Sequence, residues 1–249
     1  MTGMNRNQLI EYLDLELNSE RINDYCPNGL QVEGSPTIQT IVGGVTANQA
    51  LIEHAIKVKA DALLVHHGYF WKGEAQPITG MKQRRIKALL AHDINLIAYH
   101  LPLDLHLQWG NNRGLADCLS ITDDAPDQER LLRFGRVTPM SIDELIERVT
   151  QRLNRAPLHL AGGSESIECI AWCTGGAQDM IEEAAQSGAD VFLSGEVSER
   201  TTHLAQELGI HYLACGHHAT ETFGVERLGN HLAQRFNLNF EFINLPNPV

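Results

Sequence analysis

Short apolar runs, most ending in glycine, histidine or a carboxylate, punctuate the chain, and between them apolar residues recur every three to four positions. The first pattern predicts strands and the second amphipathic helices. Strands are expected at 39–46, 61–66, 94–100, 167–174, 189–194, 210–215 and 239–245. Helices are expected at 6–17, 48–56, 82–92, 111–119, 142–153, 179–185, 198–208 and 222–236, with Ser141 and Ser198 placed as N-caps. Strand and helix alternating in this way imply crossover units, and so an α/β fold.

The pattern repeats. Sliding the chain by 129 positions aligns Gln49 with Gln178, Ile52 with Ile181, Glu53 with Glu182, Ala55 with Ala184, Ala60-Asp61 with Ala189-Asp190 and Leu64 with Leu193. Further on, His100 is followed four residues later by Asp104, and His217 by Glu221. The expectation is two similar α/β domains, 1–125 and 126–249, related as a pseudo-twofold internal repeat. The polar, acidic stretch Thr122 to Glu129, broken by Pro126, is the expected boundary.

Composition narrows the classes of function. Hydrophobic residues at 43% are enough for a core, and 31 acidic against 19 basic residues give a net charge of −12. That balance disfavours DNA as a partner unless basic residues are concentrated on one face. No apolar run approaches the roughly 18 residues of a membrane span, and the first residues lack the apolar core of a signal peptide. The five cysteines form no CxxC pair and read as reduced thiols, so a soluble cytoplasmic protein without a membrane partner is expected.

The twelve histidines carry the chemistry through their placement. His66-His67-Gly68, His100 to Asp104, and Gly216-His217-His218 to Glu221 each lie just past a predicted strand, where open α/β sheets place ligand sites. Imidazole with carboxylate suits divalent Zn, Mn, Fe, Co or Ni. One histidine at a strand end also serves as an ordinary hydrogen-bonded residue, and adjacent histidines on an ideal strand point to opposite faces. Three such groups in two related halves argue for metal. Five or six ligands exceed one tetrahedral site, whereas two ions about 3.5–4 Å apart would share a bridging carboxylate.

ProAsnGlyLeuGlnValGluGly (27–34), ValHisHisGlyTyrPheTrpLysGlyGlu (65–74), HisLeuProLeuAsp (100–104), GlyAsnAsn (110–112), TrpCysThrGlyGly (172–176), SerGlyGluValSerGlu (194–199), GlyHisHisAlaThrGlu (216–221) and IleAsnLeuProAsnPro (243–248) together resemble the Nif-three-like family, known as GTP cyclohydrolase I type 2 homologs. The resemblance runs nearly end to end. It implies a Nif-three-like fold, a toroidal homohexamer and two divalent ions per chain. Carried over residue by residue, it has His67 and Asp104 hold one ion, His66 and His217 the other, and Glu221 bridge them. His100 and His218 would then be neighbours suited to hydrogen bonding or proton transfer.

Glu196 superposes on His67 in the repeat and joins the catalytic candidates. Asn28 reads either as ligand-orienting or as turn chemistry, and Lys82 to Lys87 as a phosphate contact or a solvated helix face. Tyr69, Phe70 and Trp71 are candidates for stacking on a base or for packing a subunit contact. The expected function is a metal-dependent hydrolase acting through a metal-bridging hydroxide on an unknown small-molecule substrate, with guanine-ring opening implied only by the resemblance. No GxxxxGK[ST] phosphate loop is present. The alternative is a non-catalytic metal-containing ring that binds a protein or DNA partner in a regulatory or DNA-damage-related role.

Overall fold

A computed structural model describes residues 3–249. In chain order the strands are β1 (Met4–Asn5), β2 (Gly29–Val32), β3 (Thr37–Ile38), β4 (Thr40–Thr46), β5 (Ala62–His67), β6 (Asn95–Ala98), β7 (Thr122–Asp123), β8 (Arg133–Ser141), β9 (Leu158–Leu160), β10 (Ser166–Trp172), β11 (Val191–Ser194), β12 (His211–Ala214) and β13 (Asn239–Phe242). The helices are α1 (Arg6–Glu16), α2 (Gln49–Val58), α3 (Gly80–Ala91), α4 (Leu101–Leu105), α5 (Asn111–Leu119), α6 (Ile142–Leu153), α7 (Ile181–Gln186), α8 (Glu199–Leu208), α9 (His217–Thr220) and α10 (Thr222–Phe236). Among the described residues, no helix is long and apolar enough to cross a membrane.

The chain forms two units. Of the described residues, the first comprises 3–103 and 224–245, and the second 104–223 and 246–249. The first holds a five-stranded sheet in the order β13-β4-β5-β6-β2. Its central strands are parallel, and β5 reads as a continuous apolar run because it is buried along its length until His67. Val42, Leu63, Val65 and Leu96 pack there with Leu51 and Ile52 of α2 and Leu89 of α3.

The second unit holds a six-stranded sheet in the order β7-β8-β10-β11-β12-β9. Successive side chains divide between its two faces, as a period of two requires. Trp172, Val191, Leu193 and Leu213 pack with Leu145 and Val149 of α6. Ala171, Phe192 and Tyr212 pack with Ile181 and Ala184 of α7 and Ala205 of α8. Ser141 starts α6 with a capping box: its hydroxyl accepts the Glu144 N–H at 3.2 Å and the Glu144 carboxylate accepts the Ser141 N–H at 2.7 Å. Such a cap contributes about 1 kcal/mol.

The repeat is visible in strand register. Ile41 pairs with Ala62 between β4 and β5, and Ile170 with Val191 between β10 and β11, so both partners are shifted by 129. The third parallel strand follows a shorter shift: the Tyr99 N–H donates to the Val65 carbonyl, and the Cys215 N–H to that of Ser194. Equivalence at this point therefore pairs His100 with Gly216 and Leu101 with His217, and α4 and α9 begin at equivalent positions. The two His-x3-acid segments are out of step by one residue.

The chain does not divide at 125/126. β13 returns to the first sheet by pairing with β4, and Thr122 and Asp123 pair with β8 in the second. Residues 122–129 are no linker, because Asp123 forms a buried ion pair with Arg133, whose guanidinium also donates to the carbonyls of Ala125 and Gln128. Strands β2, β8 and β9, which the apolar pattern did not predict, are antiparallel additions to the parallel strands. β8 escapes an apolar-run search because it buries Arg133, Gly135 and Val137 in alternation.

Candidate metal centre

In the first unit, β5 ends on His66, which is fully buried, and His67, which is half-buried. The two do not point apart: their ring centroids are 4.6 Å apart, and His100 lies 5.0 Å from His66 and 5.9 Å from His67. A ring nitrogen from each of the three falls within 4.8 Å of the others. The Nδ1–H of His66 donates to the Tyr99 carbonyl at 3.0 Å, and His67 Nδ1 lies 3.1 Å from the Thr46 hydroxyl. A carbonyl only accepts, so the His66 lone pair sits on Nε2, the nitrogen a metal would use.

The segment leaving β5 is held by Gln31. Its amide oxygen accepts the Tyr69 N–H at 2.6 Å, and its NH2 donates to the carbonyls of Pro27 at 2.8 Å and Tyr69 at 3.1 Å. Gly68 is needed for close approach: a Cβ there would meet Gln31 Oε1 at 2.1 Å. Beside His100, the Asp24 carboxylate takes the His100 Nδ1–H at 2.7 Å. Burial would raise Asp24, but hydrogen bonds from His100 and Asn28, the charge of His100 and the Tyr25 N–H outweigh it and hold it down to about 2. Neighbouring Cys26 is pushed up to about 12 by burial and then by the Asp24 charge, so its thiol stays protonated.

In the second unit, Asp104 and Glu221 are buried acids with carboxylate oxygens within 4.8 Å of each other. Asp104 Oδ1 accepts from Asn111 Nδ2 at 2.9 Å and the Thr174 hydroxyl at 3.3 Å. Asn112 ties this corner together by accepting the Thr174 N–H at 3.0 Å and, through its carbonyl, the Trp172 indole N–H at 3.0 Å. His217 Nδ1 lies 2.7 Å from Glu196 Oε1, and its Nε2 3.1 Å from Glu221 Oε2. Burial alone would lower His217, but the two carboxylates, Glu221 first, carry it up to about 9. Gly175, at φ +71°, leaves room for Glu221, since a Cβ would lie 2.1 Å from its Oε1.

This donor chemistry fits divalent ions. Two desolvated carboxylates this close repel each other when both are ionised, and a divalent ion between them would offset that repulsion. Histidines whose Nδ1 is held by an oxygen partner, as those of His66 and His217 are, have the ring orientation that metal sites employ. A model of the family described as Duf34/NIF3 (NGG1p interacting factor 3) matches residues 4–248. The chain belongs to the Duf34/NIF3 family.

Duf34/NIF3 relatives bearing the name GTP cyclohydrolase 1 type 2 homolog include one from Vibrio cholerae, 52% identical over 252 residues and covering 99% of this chain and all of the relative, and one from Pseudomonas aeruginosa, 50% identical with 97% of each covered. The solved structure of protein ybgI, described as of unknown function, superposes with a TM-score of 0.96 at 48% identity over 99% of this chain and all of that one. A solved structure from Thermus thermophilus gives 0.89 at 34%, again over 99% and 100%. The mixed α/β fold is thus the one found in the solved Duf34/NIF3 structures.

The expected residues of this Duf34/NIF3 chain fall into place unevenly. His66 and His67 gather with His100 in one unit, and Asp104, His217 and Glu221 in the other. Glu196 holds the His217 ring, and His218, half-buried, stands outside the donor groups and gives its N–H to the Val249 carbonyl at 3.1 Å. Asn28 orients main chain and side chain alike: its Oδ1 accepts the His100 N–H at 2.8 Å and its NH2 donates to Asp24 at 2.9 Å. Lys82 pairs with Glu74 at 3.3 Å, with its ammonium 4.8 Å from the Phe70 ring. Asp24, Gln31, Asn111, Asn112 and Thr174 went unnoticed as site residues, although four of them lie in or beside quoted motifs. Asp24 had no such signal, being a lone acid in a polar stretch.

Proposed function

We propose that the chain is a dinuclear metalloprotein, with one divalent ion held by His67 and Asp104, a second by His66 and His217, and Glu221 bridging, and that it acts as a metal-dependent hydrolase. The observation that carries this reading is the pair of buried carboxyl groups Asp104 and Glu221, the second in contact with His217, together with a cluster of histidines whose ring nitrogens are already oriented by oxygen partners. Two ions of the Zn, Mn, Fe, Co or Ni type would acidify a water and polarise a substrate oxygen. The chain's own residues do the rest. Asn111 and Thr174 fix the Asp104 carboxylate, and Glu196 fixes the His217 ring. His100 and His218 are the groups available to move protons, and Glu196 contributes through His217.

Metal content of protein purified without added metal, followed by a hydrolase screen on the same preparation, tests the reading. Two equivalents per chain and turnover uphold it, and loss of both in an Asp104→Ala, Glu221→Ala double variant assigns them to these ligands. A chain that takes up no divalent ion sinks it. A toroidal homohexamer and a cytoplasmic location belong to the same proposal and rest on the family resemblance; light scattering at six times the 27.6 kDa chain mass checks the first. The family description names a protein interaction, which supports a second reading: a metal-containing ring that binds a protein partner. Full metal loading without turnover, together with co-purification of one defined partner, would favour that reading.

A further inference from the structure

Asp24 is saturated. Its side chain is 3% exposed; Oδ1 accepts the Tyr25 N–H at 2.6 Å and the His100 Nδ1–H at 2.7 Å, while Oδ2 accepts from Asn28 Nδ2 at 2.9 Å and the Leu101 N–H at 2.9 Å. An ionised carboxylate presents about four lone-pair sites, so four donors fill it and leave none for an ion. Because that oxygen can only accept, His100 must carry its proton on Nδ1, which puts the lone pair of the neutral ring on Nε2. The main chain is fixed as well, by the His100 N–H bond to Asn28 Oδ1 at 2.8 Å. Trp71 stands edge-on to the ring at 4.9 Å and Tyr25 at 6.4 Å, so the ring is walled on two sides.

His66 Nδ1 faces a carbonyl and His67 Nδ1 a hydroxyl, whereas His100 Nδ1 is held by a carboxylate, the arrangement in which an acid orients a proton-carrying imidazole. We propose that Asp24, supported by Asn28, is the positioning residue that locks His100 in the Nδ1–H tautomer, so that His100 works through Nε2 as a proton carrier beside His66 and His67 and not as a further ion ligand. This rests on the reading of that histidine pair as metal ligands. In the step, Nε2 takes a proton from a water as the water oxygen bonds to the electrophilic centre. The imidazolium keeps its Nδ1–H on Asp24, then returns the Nε2 proton to the departing group, and the ring ends in its starting tautomer.

The full chain, labelled with 15N-histidine and studied metal-free and zinc-loaded, tests the proposal by two-bond proton–nitrogen correlation spectra, with His100 assigned by its loss in His100→Gln. The expected result is an Nδ1–H ring for His100 in both states, and a zinc content in His100→Gln and Asp24→Asn equal to wild type. In Asp24→Asn the amide can turn its NH2 toward His100 and Tyr25 or toward Asn28 and Leu101. The first choice leaves one facing N–H, the second two, so the ring is expected to switch to Nε2–H; Asp24→Glu should keep Nδ1–H. An Nε2–H ring in wild type, a zinc-dependent shift of His100 Nε2 like that of His66, or loss of one zinc equivalent in His100→Gln would overturn the proposal. A wild-type chain that binds no zinc defeats the metal reading instead, and the metal-free tautomers then decide on Asp24: a switch in Asp24→Asn upholds its positioning role and an unchanged ring overturns it.

Discussion

Asp61 and Asp190 perform one task 129 positions apart. Asp61 Oδ2 accepts the N–H groups of Gln39 and Thr40, both at 2.9 Å, and Asp190 Oδ2 those of Glu168 and Cys169, at 2.9 and 2.8 Å. Each carboxylate thereby clamps the entry of one parallel strand from the start of the next. Hydrogen bonds to a charged acceptor contribute about 1.5–3 kcal/mol. Asp61→Ala and Asp190→Ala should each lower stability by about that much in urea unfolding, with Asn milder because its amide oxygen still accepts. An unchanged midpoint in either Ala variant would show that the equivalence is geometrical and not energetic.

Gly175 decides whether Glu221 can stay where it is. With φ at +71° and only 2.1 Å from a built Cβ to Glu221 Oε1, Gly175→Ala meets both backbone strain and a carboxylate end that must move. Divalent-metal affinity should fall by roughly 10–100-fold, the range seen when the support of a metal ligand is lost. The circular dichroism spectrum should be retained. Calorimetric zinc titration of the two proteins checks this, and equal affinity would mean that Glu221 does not hold the ion.

The parallel strands were legible because burial on both faces writes itself as uninterrupted apolar residues, as in Ala62 to Val65 before the histidine pair. The antiparallel additions were not, since β8 mixes a buried arginine with exposed Arg136 and Thr138, and β2 is read first as the turn chemistry of Asn28-Gly29. The domain boundary was misplaced because Asp123 looks like linker charge until Arg133, ten residues on, is seen to neutralise it. The candidate ligands stood out jointly and not singly, because a lone histidine at a strand end has ordinary uses and three groups of imidazole and carboxylate at strand ends seldom do. Their supports were not: Asp24 acts on His100 across 76 residues and Thr174 on Asp104 across 70, and no local pattern marks such pairs.

Gln31 shows what an invisible support is worth. Its amide oxygen accepts from Tyr69 while its NH2 faces two carbonyls, those of Pro27 and Tyr69. Gln31→Glu preserves size and the first bond but sets a carboxylate against both carbonyls. A cost of about 1–3 kcal/mol is expected from the lost donors. Gln31→Met, which removes the polar groups altogether, should leave the Tyr69 N–H unsatisfied and cost a similar amount. Thermal unfolding of the two variants beside wild type measures this, and a Glu variant as stable as wild type would mean that the loop repacks around it.

Metal-free protein should also report the carboxylates around His217 through its pH dependence. Its folded-state value, about 9, lies above the ordinary histidine value of 6.5, so the folded chain binds the proton more tightly than the unfolded chain. The stabilisation is then complete below about pH 6.5 and is lost as pH rises through 9. Urea midpoints of metal-stripped protein should fall over that window, and Glu196→Gln should flatten the fall by removing one of the two anions that hold the proton. Zinc should abolish the slope in wild type, because a ligating His217 is neutral throughout and has no proton left to lose. A slope that persists unchanged in saturating zinc would show that His217 is not a ligand, and would return Glu221 and Asp104 to the role of a purely structural acid pair.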